Sequence, residues 1–356
     1  MNMKLVKIDK KQWANGLEDL RNSYRLFGPV KEKDYHSFKA LAKDEQPDLS
    51  FSNSRLSPKT LLFPQSEAII EFSLDENDAD HHIMKSVEKD VSPQAVIGVR
   101  PCDAKSVRLV NLNFDTPEYR DPYWADVLAA TTFVGLACDE PKSTCFCTSV
   151  DCGPYSEEGL DVLLVDDGDS YLAKVLTEKG RSLLDAAGWG AAEAENTDLA
   201  DRKAAAEAKI ASTVTTDNLK NQDLMTLHGA SFWEEVAFGC LNCGTCTYTC
   251  PTCWCFDLQD EVHGKAGKRM KNWDSCMFPL FTMHTTGHNP RGTKTQRVRQ
   301  RFMHKLKYFL DKYDQGIMCV GCGRCVSQCP VNIDIRKICN LMNAYQADNA
   351  ACVEQE

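Results

Sequence analysis

Two stretches of this 356-residue chain space their cysteines for wrapping a metal cluster. Cys240, Cys243, Cys246 and Cys250, followed by Pro251, read C-x2-C-x2-C-x3-C-P, and Cys319, Cys322, Cys325 and Cys329, followed by Pro330, repeat it. Three cysteines with two residues between neighbours curl around one face of an iron-sulfur cube. In two-cluster proteins the fourth, redirected by the proline, ligates the other cube. The spacing therefore predicts two crossed 4Fe-4S sites. One takes Cys240, Cys243, Cys246 and Cys329, and the other takes Cys319, Cys322, Cys325 and Cys250. Gly244, Gly321 and Gly323 remove side-chain bulk where the backbone must curl. Zinc is the alternative, but it favours two C-x2-C pairs well apart and gives no reason for the third cysteine, the fourth or the proline.

A second cysteine group precedes these: Cys102 in GVRPCDAKSV, Cys138 in GLACDEPKSTCFC, then Cys145, Cys147 and Cys152. Cys102 and Cys138 each follow an apolar, β-branched run. Two neighbouring parallel strands would deliver both thiols to one sheet edge, where Cys145 and Cys147 could close over them. Five candidates for four positions predict a third 4Fe-4S cluster on Cys102, Cys138, Cys145 and Cys147, with Cys152 least secured because it lies beyond the CFC turn. The alternatives are inert core cysteines or bound zinc. Cys253 and Cys255 in PTCWCFD and Cys276 in WDSC receive no role from spacing, and buried free cysteine is the ordinary reading of these three; Cys339 and Cys352 receive no role either.

The elements that must hold these thiols fall into two parts. Residues 1–225 read as a mixed α/β domain. Its strands are expected over Ala95–Val99, Thr131–Ala137, Asp161–Val165 and Tyr171–Val175, the last two flanking the turn DDGDS; its helices are expected over Lys105–Leu112 and Thr177–Leu184. The Ala-rich stretch 185–210 reads as a surface helix or hairpin. Residues 226–356 read as an α-helical two-cluster ferredoxin domain, because the 68 residues between Cys250 and Cys319 are basic and carry a helical apolar period in QRVRQRFMHKLKYFL.

Charge and composition narrow the function. Between Glu261 and Tyr313 twelve basic residues face three acidic ones, +9 in a chain of −10, leaving −19 elsewhere. An acidic chain with one basic segment is a poor nucleic-acid binder. The segment suits a solvated helix, a docking face for an acidic subunit, or a local field that stabilises anionic clusters. The longest nearly apolar run, Val127 to Cys138, is too short to span a bilayer, and MNMKLVKIDKKQW has no apolar core of a signal peptide. A cytoplasmic protein without direct membrane insertion is expected, and in that reducing compartment cysteines read as metal or redox residues. No G-x-G-x-x-G follows an expected strand, so the chain shows no dinucleotide fingerprint of its own. GHNPRGTKT places Thr293 where a P-loop needs lysine.

GVRPCDAKSV, GLACDEPKSTCFCTS, CLNCGTCTYTCPTCWCFD, WDSCMFPLFTMHTTGHNPR, RVRQRFMHK and CVGCGRCVSQCPVNIDI resemble the iron-sulfur β subunits of cytoplasmic NAD(P)-linked sulfhydrogenases. The A subunit of anaerobic sulfite reductase and the iron-sulfur subunits of flavin oxidoreductases coupled to heterodisulfide reductase are similar. The resemblance implies an electron relay in anaerobic metabolism, with no active site of its own. Its partners would be an FAD- and NAD(P)-binding flavoprotein subunit and a separate catalytic subunit of hydrogenase, sulfite reductase or heterodisulfide reductase type. It also implies that the eight ferredoxin cysteines are ligands and the N-terminal cysteines a third site, with Cys152 at a position where another residue is expected. The competing reading is a reductase subunit with its own flavin or substrate site in the N-terminal domain.

Overall fold

The computed structural model describes residues 5–190 and 199–346. Among the described residues eleven strands form two sheets: β1 (Leu5–Asp9), β2 (Arg25–Lys31), β3 (His36–Ala40), β4 (Ser66–Ser73), β5 (Lys85–Ser86), β6 (Gln94–Val99), β7 (Thr131–Leu136), β8 (Val162–Asp166), β9 (Ser170–Val175), β10 (Phe256–His263) and β11 (Ala266–Trp273). The larger sheet runs β1-β9-β8-β7-β6-β2-β3. Its centre, β2-β6-β7-β8, is parallel, and β1, β3 and β9 are antiparallel to their neighbours. β6 and β7 are buried along their whole length, as apolar strands covered on both faces must be.

The strand and helix expectations of the first part hold. QAVIGV and TTFVGL form adjacent parallel strands, and the turn between Asp166 and Ser170, with Gly168 at φ 74, joins β8 to β9. Helices cover Pro101–Asn111 and Glu178–Ala186. Of the Ala-rich stretch, Ala200–Ala208 is helical, and residues 191–198 lie outside the described residues.

The insertion between the two motifs is not wholly helical. Residues 256–273 form the hairpin β10-β11, which pairs through β11 with β4 in a four-stranded sheet β10-β11-β4-β5. The reason is visible in the register. Gly264 turns the chain at φ 61, Glu261 faces Lys268, Asp260 faces Arg269, and Lys271 pairs with Glu67 at 2.7 Å. Basic residues that suggested a helix face are instead cross-strand partners. This sheet also draws strands from both sides of residue 225. The helical expectation is met further on, where Lys294–Met303 and Phe309–Tyr313 flank a π-helical turn, His304–Tyr308. Val298, Phe302, Leu306 and Leu310 enter a second core with Trp233, Met277 and Ile338. Among the described residues no helix is long and apolar enough to cross a membrane.

Candidate metal centres and the buried cations around them

The two copies of the cysteine motif fold into the same backbone. In each, the second residue after the first cysteine is left-handed (Asn242, φ 52; Gly321, φ 64). The glycine after the second cysteine is left-handed too (Gly244, φ 75; Gly323, φ 70), and a single helical turn follows, Thr245–Tyr248 and Arg324–Ser327. These left-handed steps curl each loop so that three thiols line its inner side.

The fourth cysteines cross over. Cys240, Cys243, Cys246 and Cys329 line one pocket, which Cys325 also borders, and the electrostatic neighbours of Cys240 are Cys246, Cys243 and Cys329. Cys250 lies instead against Cys319, Cys322 and Cys325. Backbone and hydroxyl groups point at the sulfurs: Asn242 N donates to Cys240 Sγ at 3.4 Å, Ile333 N to Cys329 Sγ at 3.3 Å, and Thr252 Oγ1 lies 3.3 Å from Cys250 Sγ. Such contacts orient cluster ligands. Burial pushes Cys322 up to about 12, whereas Thr245 holds the exposed Cys243 below the usual thiol range.

Cys102, Cys138, Cys145 and Cys147 line a second pocket, and Cys322 of the second motif forms part of its wall. The sheet explains the gathering. β6 and β7 end side by side, Cys102 stands in the first turn of the helix after β6, and Cys138 follows β7. The carboxyl ends of parallel strands are where α/β sheets place their ligands. The loop carrying Cys145 and Cys147 is held down by Phe146 N donating to Gly321 O at 2.9 Å. Cys152 does not line this pocket; it is buried beside Cys147, its N donating to Cys147 O at 3.2 Å. Burial raises all five thiols, so they need a cation to exist as thiolates.

Both regions supply the complement of an anionic cluster, and spacing did not reveal this. Arg100 is buried beside Cys138 and Cys102. Its Nη1 donates to Ala137 O at 2.5 Å, its guanidinium lies 4.5 Å from the Phe51 ring centroid, and its Nε has no partner. Arg301 is buried among Cys253, Cys246, Cys250 and Cys325, with Nη2 donating to Cys246 O at 3.0 Å and both Nε and Nη1 unpartnered. Buried, unpaired guanidinium groups are costly, and thiolate-bound iron-sulfur cubes are the anions that suit them. The available signals were Arg100 two residues before Cys102, and Arg301 within the basic run. The thiol sets fit 4Fe-4S groups. The first-motif and N-terminal sets are spread around pocket walls, and no three His, Cys, Asp or Glu among the described residues converge closely enough to hold one metal ion.

The remaining cysteines divide. Cys339 is a packed core thiol that donates to Thr215 O at 3.6 Å. Cys253 lies beside Cys250, Cys255 and Cys276 neighbour each other, with Cys276 also near Cys253, and Cys352 lies outside the described residues.

Residues 239–333 match the 4Fe-4S dicluster domain family. Across 94% of its length the chain is 28% identical to the sulfhydrogenase 2 subunit beta of Pyrococcus furiosus, over 97% of that protein. These two likenesses support the iron-sulfur β-subunit family for this chain, with a 4Fe-4S dicluster domain in its C-terminal part.

Proposed function

We propose that the chain is an iron-sulfur electron-transfer subunit that relays electrons between an NAD(P)H-linked flavoprotein subunit and a separate catalytic subunit of a cytoplasmic oxidoreductase. In this reading Cys240, Cys243, Cys246 and Cys329 hold one 4Fe-4S cube, Cys319, Cys322, Cys325 and Cys250 hold a second, and Cys102, Cys138, Cys145 and Cys147 hold a third. The observation that carries it is the packing of the N-terminal cysteine loop on the second motif. A Cβ on Gly321 would stand 2.5 Å from Cys147 Cα, and Cys322 helps to wall the N-terminal pocket. With Cys325 bordering the first pocket and Cys322 the N-terminal one, the second motif stands between the other two sets, an order that suits a path rather than isolated structural metals.

When bound, the cubes supply one-electron carriage. The chain's own groups hold the thiolates, donate to their sulfurs and place Arg100 and Arg301 where negative charge accumulates. Arg301, beside Cys246 of one set and Cys250 and Cys325 of the other, favours the reduced form of either. The Arg324 guanidinium grips Asp103 at 2.6 and 2.7 Å and Ser54 O at 2.9 Å, locking the second loop to the helix that carries Cys102.

Iron and acid-labile sulfide per chain, on protein purified without oxygen, test the reading. About twelve of each supports three cubes; about eight removes the N-terminal one. Stoichiometric flavin in the isolated chain, or NADH oxidation by it alone, would favour a reductase with its own N-terminal site.

A further inference from the structure

Cys253, Cys255 and Cys276 fall outside the three cube sets yet are arranged in pairs. Cys253 is an electrostatic neighbour of Cys250, and Cys255 of Cys276. The second pair is built by the hairpin. Phe256 faces Trp273, and Asp274 N donates to Cys255 O at 3.0 Å, so the open end of β10-β11 brings the residue before one strand beside the segment after the other. Ser275 pins that segment: it is fully buried, its Oγ lies 2.8 Å from Thr247 Oγ1 in the first motif, and it accepts from Met277 N at 3.1 Å. Cys255 and Cys276 are thus held as neighbours at the open end of the hairpin, and Cys253, which adjoins Cys250, lies next to Cys276.

The setting is cationic. Lys59, Arg301 and Lys305 are 4%, 2% and 2% exposed. Lys59 Nζ donates to Cys250 O at 3.1 Å and Cys253 O at 2.7 Å, and lies 4.2 Å from the Trp273 ring centroid. Lys305 Nζ, from the π-helical turn, donates to Thr252 Oγ1 at 2.5 Å and Met318 O at 3.2 Å. The described contacts give none of the three a carboxylate, and two guanidinium nitrogens of Arg301 have no partner at all. π-turns inside helices concentrate at functional sites, and this one delivers a charge to the thiols.

We propose that Cys255 and Cys276 are a redox-active dithiol-disulfide pair coupled to the adjacent cubes, giving the module a two-electron store besides its one-electron carriers. Oxidation forms the Cys255–Cys276 S–S bond, breaks two S–H bonds and releases two protons to solvent and two electrons, one to each of two oxidised 4Fe-4S cubes. Reduction reverses every term. The proposal rests on the assignment of the eight ferredoxin cysteines to cubes.

The test is a redox titration of the full chain carrying its clusters. Samples poised anaerobically with mediators are quenched in acid, alkylated, reduced, alkylated with a second reagent and read by peptide mass spectrometry. Cys255 and Cys276 are expected to convert together, with a hundredfold change in their oxidised-to-reduced ratio over about 59 mV, the two-electron slope. Cys339 stays reduced throughout. Cys255→Ser should abolish the conversion of Cys276 while leaving iron per chain unchanged. Free thiols at both positions, at every potential over which the visible cluster band bleaches and recovers, overturn the proposal. So does the loss of about four irons in Cys255→Ser or Cys276→Ser, which would make these residues ligands. Wild-type iron below about eight per chain instead fails the cube assignment itself, and the coupling falls with it.

Discussion

The two copies of the C-x2-C-x2-C-x3-C-P motif share a backbone and differ in what surrounds it. The first copy is open: Cys243 is exposed, Phe238 and Leu241 nearby are 86% and 65% exposed, and Thr245 follows Gly244. The second copy is walled in: Cys322 is buried, Arg324 occupies the place of Thr245, and its pair with Asp103 is 2% and 0% exposed. Identical spacing builds the same cradle twice; the environment makes one end of the module face outward and the other face the N-terminal cysteines.

Breaking the walled-in side has the largest expected effect. Arg324→Met leaves Asp103 as an uncompensated buried charge, and urea unfolding of the anaerobic protein should show a loss of about 3–5 kcal/mol. Little change would mean that the second loop does not depend on the N-terminal domain. Gly321→Ala comes next. Its φ of 64 disfavours any Cβ, and Cys147 Cα would stand 2.5 Å away, so a loss of roughly 2 kcal/mol or more is expected. At the matching position Asn242→Gly should change stability by less than about 1 kcal/mol.

The contrast also predicts cluster lability. On brief exposure to air, about four irons should leave in a fast phase from the set containing Cys243, and Cys329→Ser should remove that phase. A single rate for all iron would erase the distinction between the copies. The smallest effect is expected at the open loop: Thr245→Val, the counterpart of Arg324→Met, should shift unfolding by no more than about 0.5 kcal/mol.

Much of the fold was legible because its signals are local. β6 and β7 are continuous apolar runs, and the β8-β9 turn carries Asp166, Asp167 and Gly168. The hairpin β10-β11 was not legible, because its strands are mostly polar and β11 pairs with β4, some 200 residues away. The basic run misled for the same reason: Lys271 answers Glu67, and Arg301 and Lys305 turn inward to cysteines. Of the three environments it suggested, a field around the thiols matches these two buried residues.

What the amino-acid order determined by itself is the pair of cradles. Cysteine spacing, the glycines and the prolines act within a dozen residues, where chain geometry alone limits which sulfurs can share a cluster. What only the tertiary structure decided is the company each cradle keeps: Cys322 against Cys102, Cys138, Cys145 and Cys147, Arg100 and Arg301 buried among cysteines, and Cys255 brought next to Cys276 at the mouth of a hairpin. Those neighbours are set by packing between segments as much as 270 residues apart, as Ser54 and Arg324 are. Long-range burial, rather than local spacing, governs charge and access at a thiol.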